Sequence, residues 1–315
     1  MPLRLSVLDQ SPIPQGSSIG DALRNTLDLA RLADQSGYHR YWLAEHHSAA
    51  ALACSSPEVM IGPVASATQR IRVGSGGVML PHYSPFKVAE SFLMLAGLYP
   101  DRIDVGLGRA PGTSGKVARL LQRDRRSPPP DDFPDQLDEL LTYIKDSSIQ
   151  PALLGSSQDS CVWAAERGLP YVFADFINPS GEAFTAFYQE RFQPSAKLAE
   201  SSTSVCVWAI CAETDDEALR LSMSARMMLL SLFRGRSIPV PPVEQAEDFL
   251  AQEGLPAWSL PQGRRLLTGS PQNLRRAIET VATDYGAQEV FLVNILYDHQ
   301  ARLKSYELLA KAFGS

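Results

Sequence analysis

Tyr41-Trp42-Leu43-Ala44-Glu45-His46-His47 is a short apolar run that passes without a break into one carboxylate and two imidazoles. Four uninterrupted apolar residues read as a strand covered on both faces, because a strand with one wet face alternates apolar and polar. Working outward from 41–44, runs of the same kind recur at residues 3–8, 71–74, 103–107, 152–154, 171–174, 205–211 and 290–295, which makes eight. Between them the apolar residues fall at helical spacing, as in Leu23, Leu27, Ala30 and Ala33, or Phe92, Leu95 and Ala96. Strands that alternate with helices belong to α/β folds with a parallel sheet. Eight such units without a flexible linker favour a closed (β/α)8 TIM barrel over an open doubly wound sheet. The stretch 302–313 supplies a last helix to complete the ring.

Three stretches stand outside the alternation. Residues 123–132 contain Pro128-Pro129-Pro130, which forbids helix continuation, so a solvated loop is expected there. A Pro-rich excursion at about 235–265 has a short helix near 244–252. The strand-like stub Leu266-Leu267-Thr268-Gly269 is read as the approach to a helix capped by Ser270, with Pro271 in its first turn. No repeat or linker composition divides residues 1–315, and a single domain is expected.

With 35 acidic and 29 basic side chains the 315-residue chain carries a net charge of -6. That sign is wrong for a nucleic-acid partner, and no long Lys/Arg run offsets it. No apolar stretch approaches the ~18 residues of a membrane span, and the N-terminal run is too short for a signal peptide, so neither a membrane nor a secreted setting is expected. A cytoplasmic protein follows. Cys54, Cys161, Cys206 and Cys211 lack C-x-x-C spacing, so neither disulfides nor a metal site are expected.

Chemistry should collect at the C-terminal ends of the strands. Glu45, His46 and His47 lie at such an end, where an imidazole oriented by a carboxylate can exchange protons near neutral pH. Packing beneath a loop explains the same residues. After the third run, Gly76-Gly77 lets the backbone approach a flat ligand, or makes an ordinary turn. The fourth run ends in Gly106-Leu107-Gly108-Arg109-Ala110-Pro111; Pro111 stands where a dinucleotide fingerprint needs glycine, leaving Arg109 beside close backbone as a group for an anion or carbonyl. Gly155-Ser156-Ser157, with Ser160 three residues on, joins a strand to a helix start. Backbone N–H groups, hydroxyls and the helix dipole converge there on a site suited to a phosphate monoester. Simple capping by Ser157 is the other reading.

In this order the stretches resemble the bacterial-luciferase-like flavin monooxygenases, particularly those acting in bacterial secondary metabolism. The resemblance is carried by residues 6–12, 41–47 and 71–78 with His82 and Pro85, then by 102–112, 154–157, 163–170 and Tyr297-Asp298-His299. It implies a barrel using reduced FMN from a separate, transiently bound flavin reductase, with dioxygen and a small organic substrate from secondary metabolism. It also implies a phosphate held by Gly155, Ser156, Ser157 and Ser160, a cis peptide at Gly76-Gly77 beneath the flavin, and Arg109 at the flavin rim. His46 would be catalytic, oriented by Glu45 or a backbone carbonyl, with His47 beside it, in a homodimer. Two alternatives share the fold: a deazaflavin-dependent hydride-transfer oxidoreductase and a non-catalytic flavin-binding protein. In one departure, the connection at 146–151 is shorter than relatives have. It is expected on the N-terminal face, where the fold survives its loss.

Overall fold

Burial of both sheet faces organises the molecule. The computed structural model describes residues 2–109, 115–122, 126, 131–256, 260 and 265–314. The strands are β1 (Arg4–Asp9), β2 (Arg40–Leu43), β3 (Arg72–Met79), β4 (Ile103–Gly108), β5 (Gln150–Gly155), β6 (Tyr171–Ala174), β7 (Thr203–Cys211), β8 (Leu266–Gly269) and β9 (Glu289–Val293). The helices are α1 (Ile19–Gln35), α2 (Pro57–Ala67), α3 (Pro85–Leu98), α4 (Gly115–Leu121), α5 (Phe133–Ile144), α6 (Gln158–Glu166), α7 (Glu182–Arg191), α8 (Asp215–Leu221), α9 (Met223–Phe233), α10 (Val243–Gln252), α11 (Pro271–Asp284) and α12 (His299–Phe313). β1 to β7 and β9 pair in parallel all the way round, and the β6–β7 pairing closes a (β/α)8 barrel.

The stub at 266–269 is a strand, which corrects its reading as a mere approach to a helix. β7 pairs with β6 as far as Cys206 and with β8 from Trp208 to Cys211. Nine residues make β7 long enough to serve both neighbours. Ser270 does occupy the α11 N-cap with Pro271 following. Its side chain makes no cap bond; instead Asp215 takes the Ser270 N–H at 2.6 Å and holds Asn273 at 2.5 Å.

Side chains alternate along each strand, so one set packs on the helices and the other fills the barrel. The outer set joins Ala22, Leu29, Ala30 and Ala33 of α1 and the matching stripes of the other helices. The inner set, with Leu8, Trp42, Val172, Cys206, Trp208 and Phe291, continues into Ala225, Met228 and Leu229 of α9. At the foot of the barrel the inner positions are charged. Arg40 reaches Asp104 at 2.6 Å and Glu289 at 3.2 Å, Arg72 reaches Asp104 at 2.8 Å, and Ser6 donates to Glu289. Burial pushes the Glu289 carboxyl up, but His39, Arg40 and Ser6 outweigh it and hold it at about 2.

The short connection lies on the N-terminal face as expected: Ser148 accepts the N–H of Asp101, just ahead of β4, at 3.5 Å. Lys197 fills in beneath it, donating to the carbonyls of Ile144, Ser147 and Ile149 at 3.3, 2.8 and 2.9 Å. The barrel is intact around it. Of the 123–132 stretch, only Arg126, Asp131 and Asp132 are among the described residues; Ala110-Pro111-Gly112 and, within the excursion, 257–259 and 261–264 lie outside them. The helix expected near 244–252 is α10.

Candidate active site

Alternation past the end of β2 separates the three polar residues. Ala44 continues the barrel-facing row begun by Trp42, and the same two-residue period assigns His46 to that row, whereas Glu45 and His47 meet Tyr83, which precedes α3. Glu45 is fully buried. One carboxylate oxygen meets His47 Nε2 at 2.6 Å and the Tyr83 hydroxyl at 2.7 Å, and the other accepts the Met79 N–H at 2.9 Å. Glu45 therefore orients His47, and of the two groups expected to orient His46, Glu45 or a backbone carbonyl, the carboxylate is engaged elsewhere. The His82 ring stands edge-on to His47 at 6.0 Å.

His46 has different surroundings. Its main-chain N–H donates to Cys54 at 2.9 Å, fixing the backbone, while its buried Nδ1 has no hydrogen-bond partner among the described residues. Burial, and then the nearby His47, lower its pKa to about 4. The ring is a neutral base with a lone pair or N–H to offer.

The neighbouring strand, β3, carries Gly76 and Gly77 three and two residues before its end at Met79. The Gly76–Gly77 peptide is cis, at the position the resemblance implied. A Cβ on Gly76 would lie 2.4 Å from Leu8 Cδ1 and 3.1 Å from Trp42 Cβ, so the backbone rests directly on the inner core. Across the mouth, Trp208 is 6% exposed, packs 5.5 Å from Phe176 and leaves its indole N–H without an acceptor among the described residues.

The third part is the turn from β5 into α6. Ser157 holds the N-cap position in extended conformation. Ser160 turns inward: its hydroxyl donates to the Ser157 carbonyl at 2.7 Å and meets the Tyr171 hydroxyl at 2.9 Å. A Cβ on Gly155 would fall 2.2 Å from that hydroxyl, so Gly155 is the space that Ser160 occupies. Ser160 thus shapes the turn, and Ser156 and Ser157 are left at its rim. Arg109, from the end of β4, reaches the same helix start, pairing with Asp159 at 3.2 Å and lying 5.0 Å over the Trp163 ring. N–H groups, hydroxyls and a guanidinium at one helix terminus suit a dianion.

A sequence profile described as luciferase-like monooxygenase matches residues 3–147. A luciferase-like monooxygenase of Escherichia coli (strain K12) is 37% identical, with 97% of this chain and 96% of the relative aligned. The chain belongs to the luciferase-like monooxygenase family. An N-acetyl-S-alkylcysteine monooxygenase of Bacillus subtilis (strain 168) is 34% identical over 98% of both chains. The crystal structure of apo-MsnO8 superposes with a TM-score of 0.91 at 36% identity, covering 99% of this chain and 98% of that one. At the level of fold, the oxygenating constituent of 3,6-diketocamphane monooxygenase from Pseudomonas putida, solved with FMN, matches at TM-score 0.73 and 18% identity, over 99% and 97% of the two chains.

Within this luciferase-like barrel, Glu45, His46, His47, Gly76 and Gly77 come from the adjoining ends of β2 and β3, while Arg109, Gly155, Ser156, Ser157 and Ser160 gather around the start of α6. Sequence reasoning passed over Tyr83 and Trp208. Tyr83 sits one residue beyond the His82 it singled out, and only the fold shows that its hydroxyl returns to Glu45. Trp208 lies in an apolar run, where an indole reads as packing.

Proposed function

We propose that this family member is an FMN-dependent monooxygenase that takes reduced FMN from a separate, transiently bound flavin reductase and oxygenates a small organic substrate with dioxygen. The observation that carries the reading is His46: a half-buried, neutral imidazole whose Nδ1 has no hydrogen-bond partner among the described residues, near the Gly76-Gly77 step of β3. The residues fit the cofactor. The α6 start with Ser156, Ser157 and Arg109 would hold the phosphate, and Gly76-Gly77 would let the ring system lie against the backbone. When bound, the reduced flavin supplies the electrons that activate dioxygen. His46 exchanges a proton at the reacting centre, His47 is held by Glu45, and α9 with Trp208 keeps water from the inner wall. Val59, Phe86, Met94 and Leu98 on the outer faces of α2 and α3 are 66, 51, 69 and 70% exposed, which supports a homodimer. The acidic balance supports a setting without a nucleic-acid partner.

Anaerobic titration with photoreduced FMN, followed by mixing with oxygenated buffer and an N-acetyl-S-alkylcysteine, tests the proposal. Tight binding of the reduced form and oxygenated product are expected. Failure to bind FMN in either redox state overturns it, and a parallel deazaflavin titration identifies the hydride-transfer alternative.

A further inference from the structure

On the helix side of the barrel wall, between α2 and α3, lies a pocket whose lining is apolar apart from Glu58, Tyr83, Ser91 and Lys87. It lies directly behind the Glu45 network, because Tyr83 belongs to both. Glu58 opens α2, where the helix N-terminus favours a carboxylate, yet burial and the charge of Glu45 raise its pKa, against the N–H and His47 contributions that lower it. The charged and titratable groups facing it include Glu45 and His47 from the end of β2, Cys54 ahead of α2, Tyr83 from the segment before α3, and Lys87 of α3, which leans to Glu90 at 3.5 Å.

We propose that Glu58, water in this pocket, Tyr83 and Glu45 form a proton relay that serves His47 from the side of the barrel wall opposite the mouth. The hydrogen bonds from Tyr83 inward are in place: 2.7 Å to Glu45 and 2.6 Å from Glu45 to His47, with Tyr83 itself 3.4 Å from His47 Nε2. The proton balance closes. Starting from His47 as its Nδ1–H tautomer, with Nε2 unprotonated, Glu58 releases a proton to pocket water, water passes one to the Tyr83 oxygen, Tyr83 passes its own to Glu45, and Glu45 passes one to His47 Nε2. Water, phenol and the Glu45 carboxylate are restored, Glu58 is left as carboxylate and His47 as imidazolium, its Nε2–H now donating to Glu45. The relay extends the proposed reaction by giving its imidazoles a proton source apart from the mouth, so the site can stay closed to water while protons arrive.

The test uses the ligand-free full chain labelled with 15N in histidine, and so does not depend on which flavin or substrate binds. The quantity measured is the exchange rate of the His47 imidazole N–H with water. Tyr83→Phe and Glu58→Gln should each slow it by about ten-fold or more, and Glu58→Asp should restore most of the rate. Ser91→Leu, which fills the pocket and leaves every titratable group in place, should slow it likewise and decides the matter if Tyr83→Phe fails to fold. Unchanged exchange in Glu58→Gln and Ser91→Leu overturns the relay. Slowing in Tyr83→Phe alone overturns the part assigned to Glu58.

Discussion

Glu45 and His47 are joined at 2.6 Å on the outer side of the second strand's end, and His46, between them in sequence, makes no part of that bond. Glu45→Ala leaves Tyr83, His47 and the Met79 N–H without their shared acceptor inside the wall. We expect a loss of about 2–4 kcal/mol, read by urea unfolding, since a buried charge-assisted hydrogen bond contributes roughly 1.5–3 kcal/mol and the orphaned groups add to the cost. Loss of less than half that would mean the network is not formed in solution.

His46→Ala removes the inward imidazole and nothing that supports the strand. Turnover should fall by about 10²-fold or more, the usual contribution of a positioned acid or base, while the Kd for reduced FMN stays within a few-fold. Unchanged turnover would take His46 out of the mechanism.

Arg109→Ala separates phosphate from ring binding. The variant should lose about ten-fold or more in FMN affinity, as expected for one charge-assisted contact, and bind riboflavin as the parent does. Equal losses for both would place Arg109 at the rings.

Acid should destabilise the protein in two steps. His46 falls from 6.5 unfolded to about 4 folded, so between those values the unfolded chain binds the extra proton and stability drops as pH falls. Glu289 falls from 4.5 to about 2, so its contribution is present above pH 4.5 and is lost as pH falls toward 2. Urea midpoints measured from pH 7 to 3 should show a smaller upper step in His46→Ala, the remainder belonging to His299, whose pKa burial also lowers from 6.5, and flatten at the acid end in Glu289→Gln. A wild-type curve level between pH 6.5 and 4 would show that His46 takes up its proton when folded.

Lys197 stands in for a longer connection, so Lys197→Met should strand three carbonyl groups at the foot of β5. The expected cost is about 1–3 kcal/mol with no effect on cofactor affinity, checked by thermal unfolding and FMN titration. A change in affinity without a change in stability would contradict the assignment.

The barrel was legible because strands buried on both faces leave continuous apolar runs, as at 41–44 and 205–211. β8 was obscured: Leu266-Leu267-Thr268-Gly269 is only four residues long and is followed by Ser270-Pro271, a strong helix-start signal that drew attention from the strand ahead of it. At the site, the polar cluster after β2 and the Ser-Ser turn before α6 were both visible. Which histidine meets Glu45 was not read, although the two-residue period of a strand already places Glu45 with His47. Tyr83 and Glu58 carry no motif. Their relation to Glu45 exists only once β3, α2 and α3 have packed.

The charged layer of Arg40, Arg72, Asp104 and Glu289 closes the foot of the barrel with ion pairs that cannot part without stranding charge in the wall. That layer bars passage through the foot, so a molecule bound at the strand ends leaves over those ends, and a spent product stands in the path of the next arrival. Exchange at such a site is ordered by departure, and release can set the tempo of the whole cycle.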